Sequence, residues 1–223
     1  MEYVTFKESK DLVGTITKIN DNEYLKYEYY RDGYSRDYYN VLRMDYNNGM
    51  ENSEKIGFNY GYFGWNFIVG QYQVSPDMII FKLKKIDDMD GRYTSTAYAL
   101  YSISENKEIG FDDLRYSVSS IFNLDDQTIL HLHATSLESV KGFLYNDNSV
   151  EFFIKLPSLE LIPNAYSSLR DQVISVSNFD DIKQIIKEDI KAQEKAEKIM
   201  ECMSPFVPSN PRAQMLLLEK IKK

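Results

Sequence analysis

Residues 78–103 read MIIFKLKKIDDMDGRYTSTAYALYSI, and this stretch decides the fold class. Its first part, 78–86, is apolar at the start and then alternates apolar residues with lysine, which is typical of a strand. The segment 87–91 contains three aspartates and a glycine, so it is predicted to turn the chain. Residues 93–103 alternate again by twos. The two runs therefore predict an antiparallel β-hairpin.

The same kind of pattern extends over most of the chain on either side of this hairpin. Further strands are predicted at residues 12–19, 23–30, 38–46, 128–133 and 150–156. Asn48-Gly49 suits a two-residue hairpin turn. Residues 111–122 are ambiguous, because their apolar side chains have helical spacing. The predicted fold class is α+β: a predominantly antiparallel β-sheet or partly open barrel with a helical C-terminal tail.

The chain changes character after residue 178. Asn178 suits a helix N-cap. An apolar stripe at helical spacing follows, formed by Ile182, Ile185, Ile186 and Ile190. The sequence thus predicts a mainly β domain at 1–178 and a helical appendage at 179–223. The appendage is expected to pack on the β domain or on a partner, and it can also form a homo-oligomer through its helix.

Composition is that of a globular protein. The chain has 223 residues, of which 43% are hydrophobic and 27% charged, and this length is enough to bury a core. Its N-terminus has no basic start followed by an apolar run, so no secretory signal is predicted. No window approaches the roughly 20 apolar residues that cross a bilayer. Cys202 is the single cysteine, so no internal disulfide forms. These features predict a cytoplasmic protein without membrane contact.

The charge is acidic, with a net value of −8. Residues 1–178 carry 17 Lys+Arg against 26 Asp+Glu, whereas residues 179–223 carry 9 against 8. A protein that binds nucleic acid directly needs a basic surface, so the class of nucleic-acid-binding proteins is disfavoured. The excess of carboxylates fits a protein partner with a basic surface, or a nucleic-acid-binding protein as partner. Simple solubility is an alternative explanation.

Two histidines occur in the whole chain, in the pattern His131-Leu132-His133. On a strand both imidazoles point to the same face, which is a start for a metal site. Asp126 lies just upstream and can add a carboxylate, which would make the protein a metal-dependent hydrolase. The lack of a third histidine and the lone cysteine favour the opposite prediction: the protein is not a zinc or iron enzyme and has no cofactor.

Motifs for other chemistry are missing from the sequence. It contains no Gly-x-Ser-x-Gly elbow, no phosphate-binding loop and no dinucleotide-binding glycine pattern. Cys202 lies beside methionines at the edge of the helix stripe, where an inert buried thiol is expected. No catalytic residue is therefore predicted.

The strongest functional feature is a run of tyrosines between residues 24 and 46. Tyrosine and arginine dominate interface hot spots, and tyrosine offers a large rigid surface with one polar group. The residues predicted to bind a partner are Tyr29, Tyr30, Tyr34, Arg36, Tyr38 and Tyr39. A tyrosine-rich sheet that packs in its own core is the competing interpretation. The leading hypothesis is a non-enzymatic acidic protein that masks or inhibits a macromolecular partner, of the kind carried by phages and mobile elements.

A second aromatic run, IGFNYGYFGWNFIV at residues 56–69, supports another class of function. Glycines interrupt it, which is typical of bulges or bends in strands. Its side chains can line the interior of a small-ligand-binding β-barrel. The pocket residues predicted on this alternative are Tyr60, Tyr62, Phe63 and Trp65.

Overall fold

The computed structural model confirms an α+β fold that consists mostly of antiparallel sheets. It describes residues 2–31, 37–47, 50–58, 66–86, 94–111, 114, 116–135, 149–168, 170–202 and 216. The strands are β1 (Glu2–Tyr3), β2 (Lys7–Glu8), β3 (Ile16–Lys18), β4 (Glu23–Arg31), β5 (Asp37–Asn47), β6 (Met50–Ile56), β7 (Asn66–Ser75), β8 (Met78–Ile86), β9 (Thr94–Ser102), β10 (Lys107–Glu108), β11 (Tyr116–Leu124), β12 (Gln127–Thr135), β13 (Ser149–Leu156), β14 (Glu160–Ser167) and β15 (Gln172–Ser175). The helices are α1 (Ser9–Leu12) and α2 (Phe179–Cys202).

The chain divides into two compact units. Unit 1 comprises Met1–Gly110 and unit 2 comprises Phe111–Lys223. Helix α2 therefore belongs to the same unit as strands β11 to β15. The domain boundary predicted at residue 178 falls inside unit 2.

Unit 1 contains two antiparallel sheets. One has the order β10-β9-β8-β7-β2 and the other the order β3-β4-β5-β6. The predicted hairpin at 78–103 is present as β8 and β9, in a register that pairs Met78 with Ser102 and Ile86 with Thr94. Each sheet remains open among the described strands, so they form no closed barrel.

The two sheets of unit 1 share one apolar core. Alternate residues of β4 and β8 contribute to it, among them Leu25 and Tyr27 from the first strand and Ile79 and Phe81 from the second. This alternation follows from the strand period of two, and on β8 the opposite face is buried as well, since Ile80 is 0% exposed. The Tyr27 hydroxyl donates a hydrogen bond to Gln71, which satisfies a polar group inside the core. Burial raises the pKa of Tyr27.

Arg43 is the buried cation of this core. Its Nε and Nη2 atoms donate to Glu23 Oε1 at 2.9 and 2.7 Å, and its Nη1 donates to the backbone carbonyl of Ile103. Only 9% of Arg43 is exposed. The Arg43 hydrogen bond holds the pKa of Glu23 below its usual value. Because Ile103 follows β9 and Arg43 lies on β5, this side chain links the two sheets of unit 1.

Arg43→Met is expected to lower the free energy of unfolding by about 2–3 kcal/mol, since it removes the donor of the Ile103 carbonyl and the cation paired with Glu23. Urea unfolding at pH 7 measures the loss. The folded-state pKa of Glu23 lies below its ordinary 4.5, so the pair stabilises above that pH and loses its effect as the pH falls through the folded-state pKa. The difference between wild type and variant should accordingly shrink in acid. An undiminished difference in acid would contradict the assigned ion pair.

Unit 2 contains an antiparallel meander in which β11, β12, β13, β14 and β15 are neighbours in chain order. The ambiguous residues 111–122 contribute a strand, because β11 begins at Tyr116 and pairs along its length with β12. The helical spacing of its apolar residues is overridden by this pairing, which has a bulge between Val118 and Ser120.

Helix α2 packs against one face of this meander. Asn178 is its N-cap, as predicted: the Asn178 side chain accepts a hydrogen bond of 3.0 Å from the Asp181 amide, and Asp181 accepts one of 2.6 Å from the Ser177 amide. The Phe179 ring meets Phe152 of β13 edge to face, with 6.3 Å between ring centroids.

The predicted apolar stripe of α2 is buried only in part. Ile182 and Ile185 are buried, whereas Ile186 and Ile190 are half-buried. Asp189, which the sequence pattern did not predict as a buried residue, is only 2% exposed. It accepts hydrogen bonds of 2.6 Å from Ser167 Oγ and 2.6 Å from Arg170 Nε, so its charge is paired.

Neither described helix combines the length and the apolar composition needed to cross a lipid bilayer.

Candidate functional site

The two faces of the sheet in unit 2 differ in how deeply their side chains are buried. Side chains of β12 alternate between them, so Leu130, Leu132 and Ala134 are buried while His131 and His133 lie on the opposite face and are half-buried. The buried face is the one that α2 covers, because Phe152 lies on it. We call the other one the histidine face.

Glu151 completes a three-residue cluster on the histidine face. It lies on β13 directly opposite His133 in the β12–β13 register. Its Oε2 atom is 3.1 Å from His131 Nε2, and its Oε1 atom is 3.5 Å from His133 Nε2. One ligand atom from each of the three residues lies within 4.8 Å of the other two. Two imidazoles and one carboxylate thus converge on a common point.

Neighbouring side chains hold the His131 ring of this cluster in place. The His131 ring stacks on Phe153 with 4.6 Å between centroids and 18° between planes. Its Nδ1 atom is 3.4 Å from Ser120 Oγ on β11. The centroids of the two imidazoles are 5.3 Å apart. The cluster therefore draws on three adjacent strands, β11, β12 and β13.

Asp126, the carboxylate predicted to join the histidines, lies elsewhere. It occupies the tight turn between Leu124 and Gln127, where Asp125 and Asp126 both have positive φ values of 47° and 61°. Such a two-residue turn with left-handed central residues is a type I′ hairpin turn. The cluster of three described ligand residues contains Glu151 and not Asp126. Sequence reasoning missed Glu151 because the β12–β13 register, and not proximity along the chain, brings it to the histidines.

The second candidate surface is at one end of the β4–β5 hairpin in unit 1. Tyr29 and Tyr39 are direct cross-strand partners, and their rings meet edge to face with 6.1 Å between centroids. We call them the tyrosine pair. Tyr29 is 50% exposed and Tyr39 is half-buried. The side chains of Tyr30, Tyr34, Arg36 and Tyr38 lie outside what the structure describes.

The tyrosine pair lies on the core-facing side of its sheet. Tyr29 shares a side of β4 with Leu25 and Tyr27, which are 0% and 1% exposed. Burial therefore ends abruptly along this side, between Tyr27 and Tyr29. Tyr29 is thus exposed on the side that faces the core further along the strand.

The pocket residues of the alternative hypothesis, Tyr60, Tyr62, Phe63 and Trp65, lie outside the described residues. Just before them, Phe58 is buried in the core of unit 1, with its ring 5.6 Å from that of Phe81. Strand β7 begins just after them at Asn66.

Comparison with known proteins finds no protein family that matches this chain, and no significant match among curated proteins or solved structures. Its function must therefore be inferred from its own residues.

Proposed function

We propose that the protein is a non-enzymatic binding protein whose tyrosine pair contacts a protein partner with a basic surface. The observation that carries the proposal is the half-exposed Tyr29 ring on the core-facing side of β4. Occupying a partner's surface in this way masks it and needs no catalytic residue.

The chemistry of the tyrosine pair suits protein recognition. Two rings in edge-to-face contact form a rigid apolar surface, and each phenol supplies a polar group at its tip. Tyrosine loses little conformational entropy when it is covered, because it has only two side-chain torsions. Truncating a hot-spot tyrosine at the centre of an interface to alanine costs about 2 kcal/mol or more of binding free energy.

The negative net charge of the chain supports a partner with a basic surface. Units 1 and 2 each carry 13 Lys+Arg against 17 Asp+Glu, so the negative excess is divided equally between them. A partner of opposite charge would be attracted by the whole chain, mainly through a faster association rate. Salt would screen this attraction, because the Debye length falls to about 3 Å at 1 M ionic strength.

Tyr29→Ala and Tyr39→Ala are expected to weaken binding by about 2 kcal/mol or more each, while folding is retained. Quantitative affinity capture from the native cell, followed by affinity measurement with the purified partner, tests this. Tyr46→Ala is the matched control: Tyr46 is 55% exposed and lies on β5, but on the opposite face of the same hairpin.

The expected result is a basic protein enriched by wild type and by Tyr46→Ala but lost with Tyr29→Ala. Association with that protein should slow as salt is added. Equal recovery of every captured protein by wild type and both tyrosine-pair variants, at unchanged melting temperature, would place the interface elsewhere and refute the proposal.

A further inference from the structure

We propose that His131, His133 and Glu151 form a binding site for a divalent transition-metal ion, with Zn²⁺ as its reference ligand. This site lies in unit 2 and is independent of the tyrosine pair in unit 1. It differs from the ligand set predicted from sequence in its carboxylate, because Glu151 and not Asp126 lies beside the two histidines.

The distances within the cluster suit a tetrahedral ion. Zinc binds imidazole nitrogen and carboxylate oxygen at about 2.0–2.1 Å, so neighbouring ligand atoms of a tetrahedral site are about 3.3 Å apart. The carboxylate oxygens of Glu151 are 3.1 Å from His131 Nε2 and 3.5 Å from His133 Nε2. The three ligand atoms lie within 4.8 Å of one another. Coordination of one tetrahedral ion would bring one ligand atom of each residue to about 3.3 Å from the other two and leave a fourth position for water.

A cation bound here would also satisfy the polar groups of the cluster. One ring nitrogen of each histidine lies within 3.5 Å of an oxygen of the same carboxylate. A nitrogen lone pair and a carboxylate oxygen repel each other unless a proton or a metal ion lies between them. Two separate protons, or a single divalent cation, satisfy both contacts.

The surrounding residues favour binding through Nε2. Ser120 Oγ, 3.4 Å from His131 Nδ1, can accept the Nδ1 hydrogen and so leave Nε2 free for a metal ion. The stacked Phe153 ring restricts rotation of the same imidazole. Because His131 and His133 are two residues apart on one regular strand, the backbone fixes their separation as well.

The ligand set selects the class of metal. Imidazole suits Zn²⁺, Cu²⁺, Ni²⁺ and Fe²⁺, whereas Ca²⁺ and Mg²⁺ prefer oxygen ligands alone. Two nitrogens and one oxygen thus disfavour calcium and magnesium.

The test uses the full chain, purified without a histidine tag and stripped of metal by a chelating resin. Titration with Zn²⁺ in competition with a zinc-responsive dye should show one ion per chain. His131→Ala, His133→Ala and Glu151→Gln should each weaken binding at least tenfold. Glu160→Gln is the matched control and should bind like wild type, since Glu160 lies on the adjacent strand β14 and pairs with Lys155 at 3.3 Å.

A second measurement uses the wild-type chain, so its outcome does not depend on whether a variant folds. The chain has only two histidines, so imidazole nitrogen NMR reports this site alone. Zn²⁺ should shift Nε2 of both rings at one equivalent, and Mg²⁺ should shift neither. The proposal is overturned if Zn²⁺ leaves the imidazole signals unchanged. It is equally overturned if folded Glu151→Gln binds zinc as tightly as wild type.

Discussion

Ile182→Asp is expected to lower the free energy of unfolding of unit 2 by about 4 kcal/mol or more, because it places a carboxylate where no solvent reaches. Ile182 is 0% exposed, and it lies one turn after Phe179, whose ring contacts Phe152 of β13. The change removes apolar burial and adds an unpaired charge at the same position. Chemical denaturation and melting temperature measure the loss.

Ile199→Asp is the matched control on the same helix. Ile199 is 37% exposed, so the same substitution there should change stability by less than about 1 kcal/mol. Hydrogen exchange adds spatial information: Ile182→Asp should expose the backbone amides of β12, β13 and β14 together with α2. If only the amides of α2 lose protection, the helix is an appendage that opens separately, as a boundary at residue 178 would predict.

Phe81→Ala is expected to cost unit 1 about 3–5 kcal/mol, the usual range for truncating a fully buried phenylalanine. Phe81 is 0% exposed, and its ring centroid is 5.6 Å from that of Phe58 and 5.7 Å from that of Tyr101. Loss of the ring therefore leaves a cavity between both aromatic neighbours and removes their dispersion contacts. Urea unfolding of the variant against wild type measures this cost.

Tyr46→Ala provides the comparison for Phe81→Ala, since it removes an aromatic ring of similar size from the same unit. Its ring is 55% exposed, so the loss should stay below about 1 kcal/mol. Equal destabilisation by the two substitutions would mean that Phe81 is not a core residue. In both variants, the amides of β12 and β13 should keep their wild-type protection if the two units unfold independently, because both strands belong to unit 2.

The antiparallel character of the fold could be predicted because it depends on local patterns. The alternation on both sides of residues 87–91 decided the β8–β9 hairpin without information from the rest of the chain. The cap at Asn178 is local in the same sense, since its partner Asp181 is three residues away. Residues 111–122 were ambiguous because their apolar side chains have helical spacing. The strand that they contribute is defined by its pairing with β12, the next strand along the chain.

Buried polar residues could not be predicted from periodicity. Asp189 interrupts the apolar stripe of α2 and would ordinarily be assigned to its solvated side. Its partners Ser167 and Arg170 come from the end of β14 and the segment after it, about 20 residues earlier in the chain. Glu151 is the same kind of case in the candidate site. A residue's partner across a sheet depends on register, and register depends on turn positions that single-sequence patterns locate poorly.

The outer strands of the described sheets also bear on how a partner can be recognised. Strand addition at a sheet edge requires a long row of free backbone donors and acceptors. Here the outer strands β2, β3, β10 and β15 contain only two to four residues each. The longer outer strand β6 carries the exposed charges of Glu54 and Lys55, which discourage edge-to-edge association. Templated pairing with another chain is therefore disfavoured at these five edges, which fits the proposed recognition through side chains on a sheet face.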